Sequence, residues 1–119
     1  MKKVLIAEDD ETILQLIDYR LIKLGYETVA VNDGKSAMIY LENNKVDALI
    51  TDLMMPYISG LELISYLRNT LKYNTPIIVL SGSGLEQVVL EAFELGADDF
   101  MTKPFSPDEL ILRLNRLLK

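Results

Sequence analysis

The sequence predicts a single α/β domain in which a five-stranded parallel sheet is covered by helices on both faces. Short, nearly continuous apolar runs alternate with longer segments whose apolar residues recur at helical spacing, and this pair is repeated five times. Strands that are apolar throughout are typical of a parallel sheet buried on both faces, the doubly wound arrangement. A length of 119 residues, 50% of them hydrophobic, fits one globular domain over residues 1–119.

Each strand is recognised as an apolar run, and each helix as an apolar periodicity that ends at a stop signal. The third strand must be over before Pro56, because proline cannot donate a ladder hydrogen bond. Gly25 and Gly96 end the first and fourth helices. The predicted strands cover residues 4–7, 26–31, 46–52, 76–80 and 99–101, and the predicted helices cover 13–24, 37–41, 61–67, 85–95 and 107–118.

Residues that favour caps and turns mark several boundaries. Ser106 and Pro107 predict an N-cap followed by a proline at the first position of the last helix. Asn32-Asp33-Gly34 is interpreted as a turn. Asp10 has two interpretations, as a third acid of a pocket or as an N-cap or first-turn residue of the first helix. We favour the position at the start of the helix, because acids suit the dipole at a helix N-terminus.

The composition excludes several kinds of site. The chain has no cysteine, so disulfides and thiolate metal sites are excluded, and it has no histidine, so it cannot itself carry a phosphohistidine. A net charge of -6 argues against direct binding to nucleic acid. No apolar run approaches the length of a membrane span. We therefore expect a cytoplasmic protein without membrane or nucleic-acid contacts of its own.

Polar side chains follow four of the predicted strands. Glu8 and Asp9 come after the first strand, and Asp52, Ser81 and Lys103 come at the ends of the third, fourth and fifth. The carboxyl ends of parallel strands meet at one edge of a sheet, where ligands bind in such folds. Several carboxylates together need a cation, and hard oxygen ligands suit Mg²⁺. An aspartate, a divalent cation, a lysine and a hydroxyl can support phosphoryl transfer to the aspartate.

The whole chain resembles the receiver domain of two-component response regulators. The residues that carry the resemblance are Glu8-Asp9, Asp52-Leu53-Met54-Met55-Pro56 with Gly60, Ser81-Gly82, and Phe100-Met101-Thr102-Lys103-Pro104-Phe105. Each motif is weak alone, but all of them occur in order on the appropriate elements. The resemblance implies a flavodoxin-like fold with strand order 2-1-3-4-5. It also implies a signalling module that catalyses only its own phosphorylation and dephosphorylation.

The resemblance also implies a role for each site residue. Asp52 is the expected phosphoacceptor. The expected ligands of Mg²⁺, or Mn²⁺, are Asp52, Asp9, Glu8 through water, and the main-chain carbonyl of Met54. Ser81 and Lys103 are expected to contact the phosphoryl group. The expected switch residues are Ser81 and Phe100, and Lys103-Pro104 is expected to be a cis peptide.

The expected partners follow from the same resemblance. A sensor histidine kinase or a phosphotransfer protein must supply the donor histidine, and an effector domain or protein would respond to the face formed by the fourth helix, fifth strand and fifth helix. The fourth helix has more apolar residues than one buried stripe needs, which predicts either an exposed partner surface or simply a wide core-facing stripe. Asp99 and Arg113 also leave open a phosphorylation-dependent homodimer through this face.

Two other functions are weighed against this one. A pseudo-receiver would have the fold without the phosphoryl chemistry, which the intact set of site residues disfavours. A Mg²⁺-dependent phosphohydrolase would need a second acid just after the nucleophile, where Met54 stands. Because neither Met54 nor Ser83 could position an attacking water, we expect slow self-dephosphorylation. Ser81, Gly82 and Phe100 replace the commoner threonine, alanine and tyrosine of the family and are expected to alter only the tuning of the switch.

Overall fold

The chain folds as five strand–helix pairs in a computed structural model that describes residues 1–82 and 84–119. The strands are β1 (Lys3–Ala7), β2 (Glu27–Val31), β3 (Ala48–Asp52), β4 (Ile77–Ser81) and β5 (Asp99–Thr102). The helices are α1 (Glu11–Lys23), α2 (Gly34–Asn43), α3 (Gly60–Ser65), α4 (Glu86–Leu95) and α5 (Pro107–Leu117), and a π-helical turn (Tyr66–Thr70) continues α3. Ser83, which the sequence places beside the site, lies outside the described residues.

The strands form one parallel sheet in the order β2-β1-β3-β4-β5, which confirms the predicted topology. The central strand β3 pairs with β1 on one side and with β4 on the other. The register sets Ala7 opposite Thr51, Asp52 opposite Leu80, and Ser81 opposite Thr102. All five strands therefore end at the same edge, as the sequence predicted.

The core consists of two apolar layers, one on each face of the sheet. Leu5 and Leu49 point to the layer formed with α2, α3 and α4, whereas Ile6 and Ile50 point to the layer formed with α1 and α5. These strand residues are fully buried on both faces, which explains why the strands are apolar throughout. Within residues 1–82 and 84–119, no helix combines the length and the apolar character needed to span a membrane.

Side-chain caps fix the helix starts that surround the site. Asp10 is the N-cap of α1 and accepts hydrogen bonds from the Thr12 and Ile13 amides, so the interpretation we favoured is confirmed. Ser106 caps α5, as predicted. Asp33 caps α2, which therefore begins at Gly34, three residues earlier than the apolar periodicity indicated. The predicted turn at residues 32–34 thus includes the first residue of a helix.

Arg68, in the π-helical turn, joins three separate segments of the chain. Its guanidinium donates to the Gly96 carbonyl at 2.9 and 3.1 Å and to the Tyr73 carbonyl at 2.8 Å. It also pairs with Asp98 at 3.1 Å, whose carboxylate accepts a hydrogen bond from the Ile77 amide at 2.8 Å. Gly96, at φ 119°, ends α4 in the left-handed region. Arg68 therefore fixes the end of α4 against the start of β4 and β5.

Candidate functional site

The functional edge of the sheet brings together side chains from β1, β3, β4 and β5. Glu8 follows β1, Asp52 ends β3, Ser81 ends β4, and Lys103 follows β5. Backbone hydrogen bonds extend the ladder past the strand ends: the Glu8 amide donates to the Val31 carbonyl at 3.1 Å, and the Lys103 amide donates to the Ser81 carbonyl at 2.8 Å. These residues therefore occupy defined positions on the sheet and do not depend on loop conformation.

Three carboxylates form a compact acidic cluster at this edge. Glu8, Asp9 and Asp52 each contribute an oxygen, and these oxygens all lie within 4.8 Å of one another. Glu8 is completely buried and Asp52 is 4% exposed, whereas Asp9 is exposed. The cluster is thus open to solvent on the side of Asp9 and closed beneath.

Lys103 is the cation that faces this cluster. Its ammonium lies 2.7 Å from Glu8 Oε1 and 3.2 Å from Asp52 Oδ2. The Lys103-Pro104 peptide bond is cis, as the family resemblance implied. Lys103 thus contacts two buried carboxylates: Glu8, which follows β1, and Asp52, which ends β3.

The pKa values of the cluster show the effect of burying its carboxylates. The pKa of Glu8 is raised from 4.5 to about 6: burial is the main cause and the Asp52 charge acts in the same direction, whereas the hydrogen bond with Lys103 opposes the rise. The pKa of Asp9 is also raised, by burial and then by its hydrogen bond and charge interaction with Asp52. Burial would lower the pKa of Lys103, but the two carboxylates raise it above its ordinary value. Independently of these shifts, three carboxylates face one ammonium, so the fully ionised cluster has excess negative charge.

This donor set fits a hard divalent cation. The three side chains offer only carboxylate oxygens, which Mg²⁺ and Mn²⁺ accept as ligands, and the sequence contains neither cysteine nor histidine. The Met54 amide approaches Asp52 Oδ1 at 3.4 Å, so the backbone of Met54 lies beside the same carboxylate. A cation here would offset the charge that Lys103 leaves uncompensated.

The predicted switch residues lie on β4 and on its neighbour β5. Ser81 is buried at the end of β4. Phe100 is half-buried and pairs in register with Val79, and its ring lies 6.5 Å from that of Phe93 on α4. An apolar cavity of about 490 Å³, which the sequence did not predict, lies beside Ser81 and is lined by Leu53, Met54, Ser59, Leu61, Ser81, Gly82 and Val88. The apolar residues Leu53, Leu61 and Val88, which surround the polar end of β4, could have indicated this cavity.

Known proteins resemble this chain in both sequence and fold. The chain belongs to the response regulator receiver domain family, whose profile matches residues 4–115. It is 38% identical over 118 residues to the alkaline phosphatase synthesis transcriptional regulatory protein PhoP of Bacillus subtilis, covering 99% of this chain and 49% of that protein. The chain thus spans about half the length of the curated relatives it matches.

Solved structures give the same result. The receiver domain of the Francisella response regulator 1452 superposes with a TM-score of 0.93 at 41% identity, covering 99% of this chain and 97% of that one. The receiver domain of sensor histidine kinase PA1611 from Pseudomonas aeruginosa has a TM-score of 0.87 at 28% identity, with 98% and 97% covered, and it holds a magnesium ion in its active site cleft. The fold and the family predicted from the sequence are confirmed, and the protein is a signalling module of two-component systems.

Proposed function

We propose that residues 1–119 form a receiver domain in which Asp52 accepts a phosphoryl group from a phosphohistidine of a partner protein. The observation that supports this proposal is the convergence of Asp52, Glu8 and Lys103, with Lys103 2.7 and 3.2 Å from the two carboxylates. A buried aspartate beside a fixed cation and an acidic cluster has the parts needed for phosphoryl transfer, in which positioning and charge neutralisation do most of the work.

In the proposed reaction, a carboxylate oxygen of Asp52 forms the bond to phosphorus as the bond to the donor imidazole nitrogen breaks. The product is an acyl phosphate, and the imidazole leaves with its electron pair. Lys103 would hold one phosphoryl oxygen, and the Ser81 hydroxyl would donate to another. The donor must come from a sensor histidine kinase or a phosphotransfer protein, because this chain has no histidine.

Glu8, Asp9, Asp52 and the Met54 carbonyl would hold Mg²⁺ or Mn²⁺, with Glu8 acting through water. The bound cation supplies neutralisation of the charge that builds up on the phosphoryl oxygens. The composition of the cluster supports this assignment, because its three carboxylates face a single ammonium, that of Lys103. A magnesium ion in the active site cleft of the PA1611 receiver domain supports it independently.

The output would pass through the face formed by α4, β5 and α5. Phosphorylation adds charge and acceptor oxygens at Asp52, which would draw Ser81 and Lys103 inward and shift the rotamer of Phe100. On α4, Leu90 and Phe93 are 53% and 43% exposed, which supports a partner surface over a wholly core-facing stripe. The partner would be an effector domain or protein, as the transcriptional regulators among the relatives suggest.

A phosphorylation-dependent homodimer through this face would need to reorganise existing pairs. Arg113 is bound to Asp99 of its own chain at 2.6 Å and to Glu109 at 3.3 Å. Asp98 is bound to Arg68 at 3.1 Å. These pairs are partly exposed and of modest strength individually, so exchange between two copies costs little. Gel filtration with and without a phosphoryl mimic tests this: an unchanged monomer excludes the homodimer.

The decisive experiment is incubation with acetyl phosphate and Mg²⁺, followed by intact mass measurement. We expect the addition of one phosphoryl group in the presence of Mg²⁺ and none in EDTA. Asp52→Asn, which keeps the shape of the side chain, should show no addition. If folded, Mg²⁺-bound protein gains no mass, the phosphoacceptor role is wrong and the domain is a pseudo-receiver.

A further inference from the structure

The loop between β3 and α3 carries both the end of the phosphoacceptor strand and the proposed main-chain ligand. At its far end the Gly60 amide donates to the Leu53 carbonyl at 2.9 Å. A Cβ atom at Gly60 would lie 2.2 Å from the Asp52 carbonyl oxygen, so only glycine fits there. Ser59 and Glu62 form a capping box that fixes the start of α3. The loop is therefore closed tightly at its base.

The tip of the loop is strained. Tyr57 has a φ of 72°, in the left-handed region that a bulky side chain rarely adopts. The Ile58 amide donates to the Pro56 carbonyl at 2.9 Å, which closes a three-residue γ-turn around Tyr57. Tyr57 itself is 82% exposed, so its own side-chain packing does not hold this conformation. Strained backbone persists only where the surrounding structure imposes it, so another segment must hold the tip.

Gly34, the first residue of α2, makes the contact that can do this. It is buried, and a Cβ atom built on it would lie 1.9 Å from the Ile58 carbonyl oxygen and 2.8 Å from the Ile58 carbonyl carbon. The contact joins two backbones, so no side-chain rotation can relieve it. The backbone of Gly34 is not in the left-handed region, so space and not conformational freedom requires glycine here. Asp33 fixes the position of α2 by accepting from the Ser36 amide at 2.6 Å.

We propose that Gly34 is a positioning residue for the phosphoacceptor loop: the start of α2 supports the Ile58 carbonyl and so holds the Met54 backbone beside Asp52. This inference rests on the proposed function of the site. An alanine would have to move the loop from 1.9 Å to at least 3.0 Å, a displacement of about 1 Å. In a site that depends on positioning, a displacement of this size is enough to lower the reaction rate by roughly a hundredfold.

The test compares Gly34→Ala with Gly25→Ala. At Gly25 an added Cβ meets no atom within 4 Å, but the φ of 92° makes the substitution strained, so this variant loses stability without moving the loop. Binding of Mn²⁺ is measured from the electron paramagnetic resonance signal of the free ion, and folding is measured by circular dichroism in EDTA.

We expect Gly34→Ala to weaken Mn²⁺ binding at least tenfold while Gly25→Ala binds within twofold of the unmodified protein. If Gly34→Ala does not fold alone, the double variant with Tyr57→Gly allows the strained tip to yield, and it too should bind Mn²⁺ at least tenfold more weakly than Tyr57→Gly alone. Unchanged affinity in a folded Gly34→Ala or double variant overturns the positioning role only. Absence of Mn²⁺ binding by the unmodified protein overturns both this role and the metal part of the proposed function.

Discussion

Replacing Glu8 with glutamine should stabilise the metal-free protein near neutral pH, although it weakens the proposed site. Burial raises the pKa of Glu8 from 4.5 to about 6 in the folded protein, so the folded state holds the proton more tightly than the unfolded state does. As the pH rises from about 4.5 to about 6, the unfolded state ionises first and the free energy of unfolding falls. At 1.36 kcal/mol for each pKa unit, the full loss is about 2 kcal/mol.

Glu8→Gln cannot ionise and should not show this loss. Near pH 4, we expect ionisation of Glu8 to contribute little to the difference in free energy of unfolding between the two proteins. At pH 7.5, this difference should shift in favour of the variant by about 2 kcal/mol. The assay is urea unfolding followed by circular dichroism in EDTA at both pH values. Glu91→Gln, an exposed carboxylate on α4, is the matched control and should change stability by less than about 0.5 kcal/mol.

Magnesium provides the second arm of the same experiment. Saturating Mg²⁺ should raise the free energy of unfolding of the unmodified protein more than that of Glu8→Gln, because stabilisation by a ligand that binds only the folded state grows with the logarithm of the ligand concentration divided by its Kd. If the difference in free energy of unfolding between the two proteins is the same at both pH values, ionisation of Glu8 does not destabilise the folded state. The interpretation of Glu8 as a buried carboxylate with a raised pKa is then wrong.

Three further outcomes are expected. Arg68→Ala should lower the free energy of unfolding by about 3 kcal/mol in urea, because it leaves the Gly96 and Tyr73 carbonyls without a donor, whereas the exposed Arg116→Ala should change it by less than about 0.5 kcal/mol. Tyr57→Gly should gain about 0.5 to 1 kcal/mol in the same assay, since relief of the positive φ outweighs the added chain entropy, and Tyr57→Ala should show no such gain. The acyl phosphate on Asp52 should persist for minutes or longer by intact mass, because Met54 cannot position a water; decay within seconds contradicts this.

The strands, their order and the set of polar residues at their ends were predictable because a parallel sheet places every strand end at one edge. Asp52, Glu8 and Lys103 therefore converge although Glu8 and Lys103 lie near opposite ends of the chain. The degree of burial was not predictable. Glu8 lies beside exposed Asp9 in the sequence, and only the fold makes one of the two fully buried.

The features that the sequence did not predict depend on contacts between distant backbone segments. Tyr57 adopts a positive φ where the sequence contains no glycine or asparagine to indicate one. Gly34 looks like an ordinary turn glycine, and its contact with Ile58 depends on how α2 packs beside the loop. Arg68 looks like a solvated helix residue, and its partners Gly96 and Asp98 lie 28 and 30 residues further along the chain. Such contacts have no local pattern.

The position of β5 at the edge of the sheet has a consequence for local opening of the protein. Among the residues that the structure describes, this strand pairs with β4 alone, and Lys103 directly after it contacts the carboxylate cluster. An edge strand is held by one ladder, so its amide protons exchange through partial openings that leave the central strands intact. When β5 detaches, Glu8 and Asp52 lose their counter-charge. Hydrogen exchange in β5 should therefore respond to conditions that change the charge of Glu8, which follows β1, the third strand away from β5.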